Sequence, residues 1–215
     1  MTRVKTCGIT SLADAHRSVE LGAWAVGLIF WPGSPRACDP GEAELIGAEL
    51  QRQAEVVGVF LNAPLDEVAA AADRCRLTML QLHGDEGPSY CREAARRTGS
   101  RVIKAARISD AAQIRALRPF HTHLHLLDAR SERAPGGTGQ SFDWSLTALH
   151  NRRPPFLLSG GLNAGNVGEA IAATRPYGVD TASGTESAPG VKDPERLEAF
   201  FRAVATADEH QGAPA

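Results

Sequence analysis

The chain has 215 residues, of which 43% are hydrophobic and 22% charged, and its formal net charge is -2 at pH 7. A chain of this length fits one globular domain, and its charge gives no electrostatic reason to expect nucleic acid or an anionic membrane as a partner. Any phosphate group that the protein binds must therefore be held locally, by backbone amides or by a few placed side chains.

Short runs rich in Leu and β-branched residues alternate with amphipathic, Ala-rich segments along the whole chain. The predicted strands are Val4–Cys7, Ala25–Phe30, Val56–Phe60, Met79–His83, Arg101–Ala105, Leu124–Asp128, Phe156–Ser159 and Gly178–Thr181. The predicted helices are Ser11–Leu21, Pro40–Leu50, Pro64–Arg74, Gly87–Arg97, Ala111–Leu117, Trp144–Leu149, Asn166–Ala173 and Pro194–Ala205.

This alternation predicts the fold class. Strands separated by helices form βαβ units and a parallel sheet, and eight such units are the number that a closed barrel requires. The residues after the first strand, Cys7-Gly8-Ile9-Thr10, lack the glycine fingerprint of an open dinucleotide-binding sheet. We therefore predict a single-domain α/β protein, a (β/α)8 TIM barrel over residues 1–207, with a frayed C-terminal tail at 208–215.

The cysteines and the chain start suggest a cellular location. Cys7, Cys38, Cys75 and Cys91 are widely spaced and form no Cys-x-x-Cys pair, so we expect free thiols and neither a metal knuckle nor a redox dithiol. The N-terminal residues enter the first strand without an apolar signal segment, and no stretch is long and apolar enough to span a bilayer. A cytoplasmic enzyme with no membrane partner is expected.

The active site of such a barrel lies at the C-terminal ends of the strands, and phosphate is often bound by the loops after strands seven and eight. The stretches 159–163 and 180–184 occupy these two places. Glycines there let backbone amides approach an anion, and a helix N-terminus adds a favourable dipole. The alternative interpretation is a pair of tight turns. The predicted phosphate-binding residues are Gly160, Gly161, Ser183 and Gly184.

Two strand-end residues can carry proton transfer. Cys7 closes the first strand and Asp128 the sixth, so both should point into the barrel mouth. A carboxylate with no basic partner in its own strand would be partly desolvated and could hold a proton near neutral pH, which suits a general acid. A thiol can act as a base where positive charge lowers its pKa, and Lys5 shares the strand face of Cys7. A lone cysteine is otherwise more often a small buried hydrophobe.

Two further features compete for a functional interpretation. The alternating run His121, His123 and His125 is compatible with a metal site, but it lies on the strand face opposite Asp128, so surface or helix-facing histidines are preferred. Residues 130–144 form a long glycine-rich loop after the sixth strand. It is either a surface excursion or a mobile lid, and we favour the lid because long loops at a barrel mouth are commonly functional.

Short motifs follow one another at the predicted strand ends. They are the stretches Lys5–Thr10, Phe30–Arg36, Gln81–Glu86, Leu127–Asp128, Gly136–Trp144, Ser159–Leu162, Asp180–Glu186 and Pro189–Asp193. In this order and at these barrel positions, they resemble the phosphoribosylanthranilate isomerases of tryptophan biosynthesis through most of the chain. Thr6 and Thr185 stand where bulkier apolar residues are more usual in that family, which bears on packing and not on the reaction.

The resemblance implies a role for each matching position. Cys7 would be the general base and Asp128 the general acid of an Amadori rearrangement, which converts N-(5-phosphoribosyl)anthranilate to 1-(2-carboxyphenylamino)-1-deoxyribulose 5-phosphate. No metal or cofactor is implied, because a protonated Schiff base serves as the electron sink. The implied substrate-binding residues are Arg36 for the anthranilate carboxylate, Asp180 near the sugar hydroxyls, and Gln81 and His83 at the mouth.

Three other functions are alternatives to the one that the resemblance implies. The histidine-pathway isomerase performs the same chemistry on a bis-phosphate, but its relatives use two aspartates and need two phosphate sites. Indole-glycerol-phosphate synthase would need catalytic lysines that the sequence does not place. A non-catalytic phosphosugar-binding barrel would lack the acid or the base, and both are present here. A monomer is preferred to a homodimer.

Overall fold

The computed structural model describes residues 1–128 and 144–212. Its eight long strands form one closed barrel in the order in which they occur along the chain, and each strand pairs in parallel with the next. They are β1 (Arg3–Cys7), β2 (Ala25–Ile29), β3 (Glu55–Phe60), β4 (Met79–Leu82), β5 (Arg101–Arg107), β6 (Leu124–Asp128), β7 (Phe156–Ser159) and β8 (Gly178–Thr181). The predicted (β/α)8 barrel is confirmed.

Helices connect the strands on the outside of the barrel. They are α1 (Leu12–Glu20), α2 (Pro40–Glu49), α3 (Leu65–Arg74), α4 (Pro88–Thr98), α5 (Ala111–Ala116), α6 (Val167–Thr174) and α7 (Pro194–Gly212). A short antiparallel hairpin, β9 (Glu186–Ala188) and β10 (Val191–Lys192), follows β8. The helix α7 continues past residue 207, where the predicted domain ends, and the backbone N–H of Thr2 donates to the Asp208 carboxylate at 2.6 Å.

The predicted helix at Trp144–Leu149 is a 3-10 helix and not an α-helix. The Thr147 hydroxyl donates to the carbonyl of Trp144, three residues earlier, at 2.7 Å. That spacing belongs to the tighter helix, which proteins use in short pieces of this kind. The loop that the sequence analysis interprets as a lid, 130–144, lies outside the described residues except for Trp144.

Local sequence explains where the helices begin. The Asp39 side chain accepts hydrogen bonds from the backbone N–H groups of Gly41 and Glu42, and Pro40 occupies the first helical position of α2. Proline is pre-set for the first turn and its missing N–H needs no partner there, while the aspartate satisfies amides that would otherwise lack an acceptor. Ser11 caps α1 in the same manner.

Strand alternation divides the side chains between the barrel interior and the helical layer. A central cluster fills the interior with apolar side chains, namely Ala25, Val57, Met79, Ile103, Ala105, Leu124, Leu126 and Leu157. Two larger clusters pack the outer faces of the strands against the helices. The interior is therefore a packed core whose upper end forms the floor of the mouth.

The four cysteines are buried and free, as predicted. In the described part of the chain, no helix is long and apolar enough to cross a membrane.

Candidate active site

An open cavity of about 200 Å³ lies at the carboxyl ends of the strands, where the fold predicts an active site. Nine of the ten predicted site residues line it: Cys7, Arg36, Gln81, His83, Asp128, Gly160, Gly161, Asp180 and Ser183. Gly184, the tenth, directly follows Ser183. Parallel strands and their loops bring these residues together from positions spread over most of the chain.

On one side of the cavity, Cys7 lies above a buried ion pair. The Lys5 ammonium is fully buried in the barrel and donates to the Asp180 carboxylate at 2.7 Å. The other oxygen of Asp180 accepts from the Ser159 hydroxyl at 3.1 Å. Gly27 provides the room, since a Cβ there would lie 2.8 Å from the Cys7 sulfur and 3.0 Å from the Lys5 nitrogen. Asp180 is thus already bonded within the protein while it also lines the cavity.

The expected lowering of the Cys7 pKa is not what the structure gives. Burial raises the pKa of the thiol, and its proximity to Asp180 adds to that effect, while Lys5 and Lys192 lower it. The net result is a pKa above the ordinary value of a cysteine thiol, because the site removes water more completely than its cations compensate. Lys5 lowers the Cys7 pKa, as predicted, but by less than burial raises it.

Asp128 ends β6, which lies three strands from β1 around the barrel. Its carboxylate oxygen is 3.6 Å from Nε2 of His83, and both side chains are partly exposed. His83 Nδ1 in turn lies 3.1 Å from the amide nitrogen of Gln81. The tertiary structure brings His83, which directly follows β4, near Asp128 at the end of β6.

The loops after β7 and β8 contain the glycines of the predicted phosphate site. Gly160 and Gly161 have φ values of 104° and 70°, a region that glycine adopts without steric cost. A Cβ on Gly184 would lie 2.0 Å from the carbonyl oxygen of Leu162, so the second loop packs against the first. Only glycine allows these two loops to approach so closely.

Arg36 lines the cavity from the loop after β2, and its guanidinium is held by Glu186. Its Nε donates to the two carboxylate oxygens at 2.9 and 3.0 Å, and Nη2 donates to one of them at 2.7 Å. The hydrogen bonds that Arg36 donates to Glu186 raise the Arg36 pKa, and they outweigh burial, which lowers it. Glu186 lies within the stretch Asp180–Glu186, but no pattern in the sequence predicts its contact with Arg36.

Lys192 is a second residue of the site that sequence reasoning missed. Its ammonium is buried and donates to the carbonyl oxygens of Cys7, at 2.8 Å, and Ala182, at 3.1 Å. The only sequence signal was its position in the stretch Pro189–Asp193, which fits the family's pattern. A lysine in an isolated hairpin gives no indication that its side chain will be buried between two other loops.

The histidine run lies away from the cavity. His121 and His123 are exposed, whereas His125 is buried, with Nδ1 2.8 Å from Nε2 of His150 and Nε2 2.9 Å from the carbonyl of Phe120. These are the surface and helix-facing positions that were predicted. Within residues 1–128 and 144–212, no group of three or more His, Cys, Asp or Glu residues is arranged to hold a metal ion.

Comparison with known proteins gives one consistent family. Residues 4–203 match the family described as N-(5'phosphoribosyl)anthranilate (PRA) isomerase. The N-(5'-phosphoribosyl)anthranilate isomerase of Geotalea uraniireducens is 46% identical over 202 residues, which cover 94% of this chain and 98% of that protein. That of Geobacter sulfurreducens is also 46% identical over 202 residues, with the same coverage.

Solved structures agree with the sequence match. Phosphoribosyl anthranilate isomerase from Thermotoga maritima aligns with a TM-score of 0.87 at 42% identity, over 96% of this chain and 100% of that one. A second structure, an isomerase of this name in complex with reduced 1-(o-carboxyphenylamino)-1-deoxyribulose 5-phosphate, aligns with a TM-score of 0.82 at 39% identity and the same coverage.

Proposed function

Because the chain belongs to the N-(5'-phosphoribosyl)anthranilate isomerase family, we propose that it converts N-(5'-phosphoribosyl)anthranilate to 1-(2-carboxyphenylamino)-1-deoxyribulose 5-phosphate in tryptophan biosynthesis. The observation that carries the proposal is the shared cavity, which Cys7, Asp128, Arg36 and residues of the two glycine-rich loops all line. An Amadori rearrangement needs one acid and one base on the same sugar, and this arrangement supplies both.

Three groups of residues orient the substrate in this proposal. The loops at Gly160–Gly161 and Ser183–Gly184 bind the phosphate through backbone amides, and Arg36 binds the anthranilate carboxylate. The carbonyl oxygen of the Gln81 side chain lies in the cavity wall, is buried, and has no hydrogen-bond partner among the described residues. A sugar hydroxyl can satisfy it, which makes Gln81 a second sugar contact beside Asp180.

In the first chemical step, Asp128 acts as the general acid. Its carboxyl group protonates the furanose ring oxygen while the bond from C1′ to that oxygen breaks. The electrons of the anthranilate nitrogen then form a double bond to C1′, which leaves a protonated Schiff base. Asp128 ends as a carboxylate, and Nε2 of His83, which directly follows β4, lies 3.6 Å from it, close enough to interact with the negative charge so formed.

In the second step, Cys7 acts as the general base. Its thiolate removes the proton from C2′, and the released electrons move into the C1′–nitrogen bond and neutralise the iminium. The enolamine that forms then tautomerises, because its C2′ hydroxyl loses a proton and C1′ gains one. Because burial raises the pKa of Cys7, this step is open to the fraction of the enzyme in which the thiol has already lost its proton to solvent. The positive charge of the iminium then acidifies the C2′ proton that the thiolate removes.

The proposal is tested by the loss of substrate fluorescence. Phosphoribosylanthranilate is generated in situ and its fluorescence is followed after the purified protein is added. The wild type should consume it rapidly, and Cys7→Ser should reduce kcat by about 10²–10⁴-fold. Cys91→Ser is the matched control, because Cys91 is buried in α4 and does not line the cavity.

Each outcome of that experiment is informative. Normal turnover by Cys7→Ser would show that another group is the base. Complete inactivity of the wild type would contradict the proposed substrate and direct attention first to the bis-phosphate of the histidine pathway and then to a binding function.

We also propose that the enzyme is a cytoplasmic monomer. Large hydrophobic side chains are exposed at five positions that are well separated along the described chain, Met1, Trp31, Leu45, Leu149 and Val191, and single exposed residues of this kind are normal on a monomer surface. The four free thiols suit a reducing compartment. Sedimentation equilibrium that gave twice the chain mass of 22.8 kDa would contradict the monomer.

A further inference from the structure

The β9–β10 hairpin, residues 186–192, connects three parts of the cavity rim. Glu186 at its start binds Arg36 of the loop after β2. Lys192 at its end binds the carbonyl oxygens of Cys7 and Ala182, which belong to β1 and to the loop after β8. The hairpin therefore fixes the relative positions of the proposed base, the arginine and the phosphate loop.

The pairing with Glu186 uses one edge of the Arg36 guanidinium. That edge consists of Nε and one N–H of Nη2, both of which donate to the carboxylate. The third nitrogen, Nη1, has no hydrogen-bond partner in the described part of the chain. A guanidinium presents two edges suited to a carboxylate, so the edge formed by Nη1 and Nη2 remains for a ligand in the cavity that Arg36 lines.

Glu186 is itself held in place from several directions. Its side chain is buried, the Lys192 ammonium lies 3.4 Å from one carboxylate oxygen, and Arg196 donates to its backbone carbonyl at 2.5 Å. Burial opposes ionisation of Glu186, but the hydrogen bond from Arg36 and the charge of Lys192 outweigh it and lower the pKa. The group is therefore a fixed anion and can orient a cation beside it.

Gly8 supports the same orientation from the other side. It has a φ of 74°, and a Cβ built on it would lie 2.8 Å from Cδ of Arg36. The arginine stem thus passes directly over the backbone that follows Cys7. Its position is limited by Gly8 below and by Glu186 at the end of the side chain.

We propose that Glu186 is a positioning residue that sets recognition of the substrate's aryl carboxylate, by holding Arg36 so that its Nη1/Nη2 edge faces the cavity. This inference rests on the proposed function, in which Arg36 binds that carboxylate. Glu186 does not touch the substrate and takes no part in proton transfer. Its contribution is to remove the conformational freedom that a long arginine side chain would otherwise lose on binding.

Two ligands separate this role from a general structural one. The first is the reduced form of the product 1-(o-carboxyphenylamino)-1-deoxyribulose 5-phosphate. The second is the same reduced molecule without the aryl carboxylate. Glu186→Gln keeps the size of the side chain but loses its charge and one of its acceptors. We expect it to weaken binding of the first ligand about tenfold and to leave the second within about twofold. KM for phosphoribosylanthranilate should rise by a similar factor while kcat changes little, because the contact is made before and during the reaction alike.

Three variants complete the design. Arg36→Met should show the same selective loss, and the double variant with Glu186→Gln should be no weaker than Arg36→Met alone, since Glu186 acts only through the arginine. Glu198→Gln is the matched control, because this carboxylate of α7 pairs at the surface with Arg202 and lies outside the cavity lining. It should leave both affinities unchanged.

The results distinguish the inference from the function on which it rests. Equal weakening of both ligands by Glu186→Gln, or a fall in kcat at constant KM, would overturn the positioning role while the wild type still binds and turns over substrate. A wild type that binds neither ligand and consumes no substrate would overturn the proposed function, and the inference with it.

Discussion

The two sides of the cavity hold their reactive groups in different surroundings. Cys7 stands among buried charges, with the Lys5–Asp180 pair below it and the Lys192 ammonium on its carbonyl oxygen. Asp128 stands beside His83, and both side chains are partly exposed. In the proposed reaction, Cys7 must become negatively charged, so the nearby ammonium groups of Lys5 and Lys192 favour the step that is assigned to it.

The difference extends to how each side is supported. The β1 side is supported by ion pairs that include the residues of the site, through Lys5, Asp180 and Lys192. The β4 side also has a buried pair, between Lys104 and Glu86 at 2.8 Å, but these residues do not line the cavity. That pair fixes the loop after β4, since Glu86 accepts from the backbone N–H of Gly84 at 2.9 Å. On the β1 side, the charged groups that stabilise the structure therefore also act on the groups of the cavity. On the β4 side, the buried pair stabilises a loop but does not line the cavity.

The largest effect expected on the acid side follows from Asp128→Asn. This change keeps the shape of the side chain but removes its exchangeable proton, so kcat should fall by about 10²–10⁴-fold. Asp85→Asn is the control, because this exposed carboxylate lies on the nearby loop after β4 and outside the cavity lining; its turnover should stay within about twofold. Steady-state kinetics with the fluorescence assay measure both, and substantial activity in Asp128→Asn would remove it as the acid.

The effect of the buried charge next to Cys7 is tested by comparing the variant Lys5→Met with Lys104→Met. Each change leaves a buried carboxylate without its cation, so each should destabilise the protein by about 3–5 kcal/mol, measured by urea unfolding. Only Lys5→Met should change the chemistry of Cys7. Lys5 lowers the Cys7 pKa, so its loss raises that pKa further and reduces the thiolate fraction at any given pH.

The rate at which iodoacetamide alkylates Cys7 reports the fraction of Cys7 that is thiolate. In the wild type, the rate should rise with pH along a curve whose midpoint lies above that of an ordinary thiol, because burial raises the Cys7 pKa. Lys5→Met should move the midpoint to still higher pH, and Lys104→Met should leave it in place. Equal shifts in both variants would mean that loss of stability, and not the charge of Lys5, controls the thiol.

The smallest expected effect concerns the packing of β1 itself. The Thr6 hydroxyl oxygen is buried and has no hydrogen-bond partner among the described residues, so Thr6→Val should stabilise the protein by about 1 kcal/mol. Thr185→Val is the opposite case, because the Thr185 hydroxyl donates to the carbonyl of Ala182 at 3.0 Å and its loss should destabilise by a similar amount. Thermal unfolding of the two variants would contradict this argument if both moved in the same direction.

The barrel could be predicted from the sequence because its strands follow a simple local rule. Buried parallel strands appear as short apolar runs, and each run here is followed by an amphipathic segment. The eight predicted strands agree with the observed ones to within two residues at their ends. The 3-10 helix at Trp144–Leu149 was not recognised, since its composition also suits an α-helix and the hydrogen-bond spacing is not visible in a pattern of apolar residues.

The candidate site was accessible from sequence only in part. The strand-end rule identifies residues such as Cys7 and Asp128, because a chain that forms a barrel must bring its strand ends to one rim. Glu186 and Lys192 follow no such rule. They lie in a hairpin after the last strand, and their roles depend on groups that are far away in the chain, at Arg36 and Cys7.

The sequence by itself determined the fold class, the strands and the strand-end residues of the mouth, because each of these depends on periodicity and position along a strand. The tertiary structure decided the electrostatics. It placed Lys5 against Asp180, His83 near Asp128 and Glu186 on Arg36, and it raised the pKa of Cys7 where its neighbour on the strand alone suggested the opposite. Burial and charge pairing depend on distances in three dimensions between strands that are remote in sequence, so no local pattern could have supplied them.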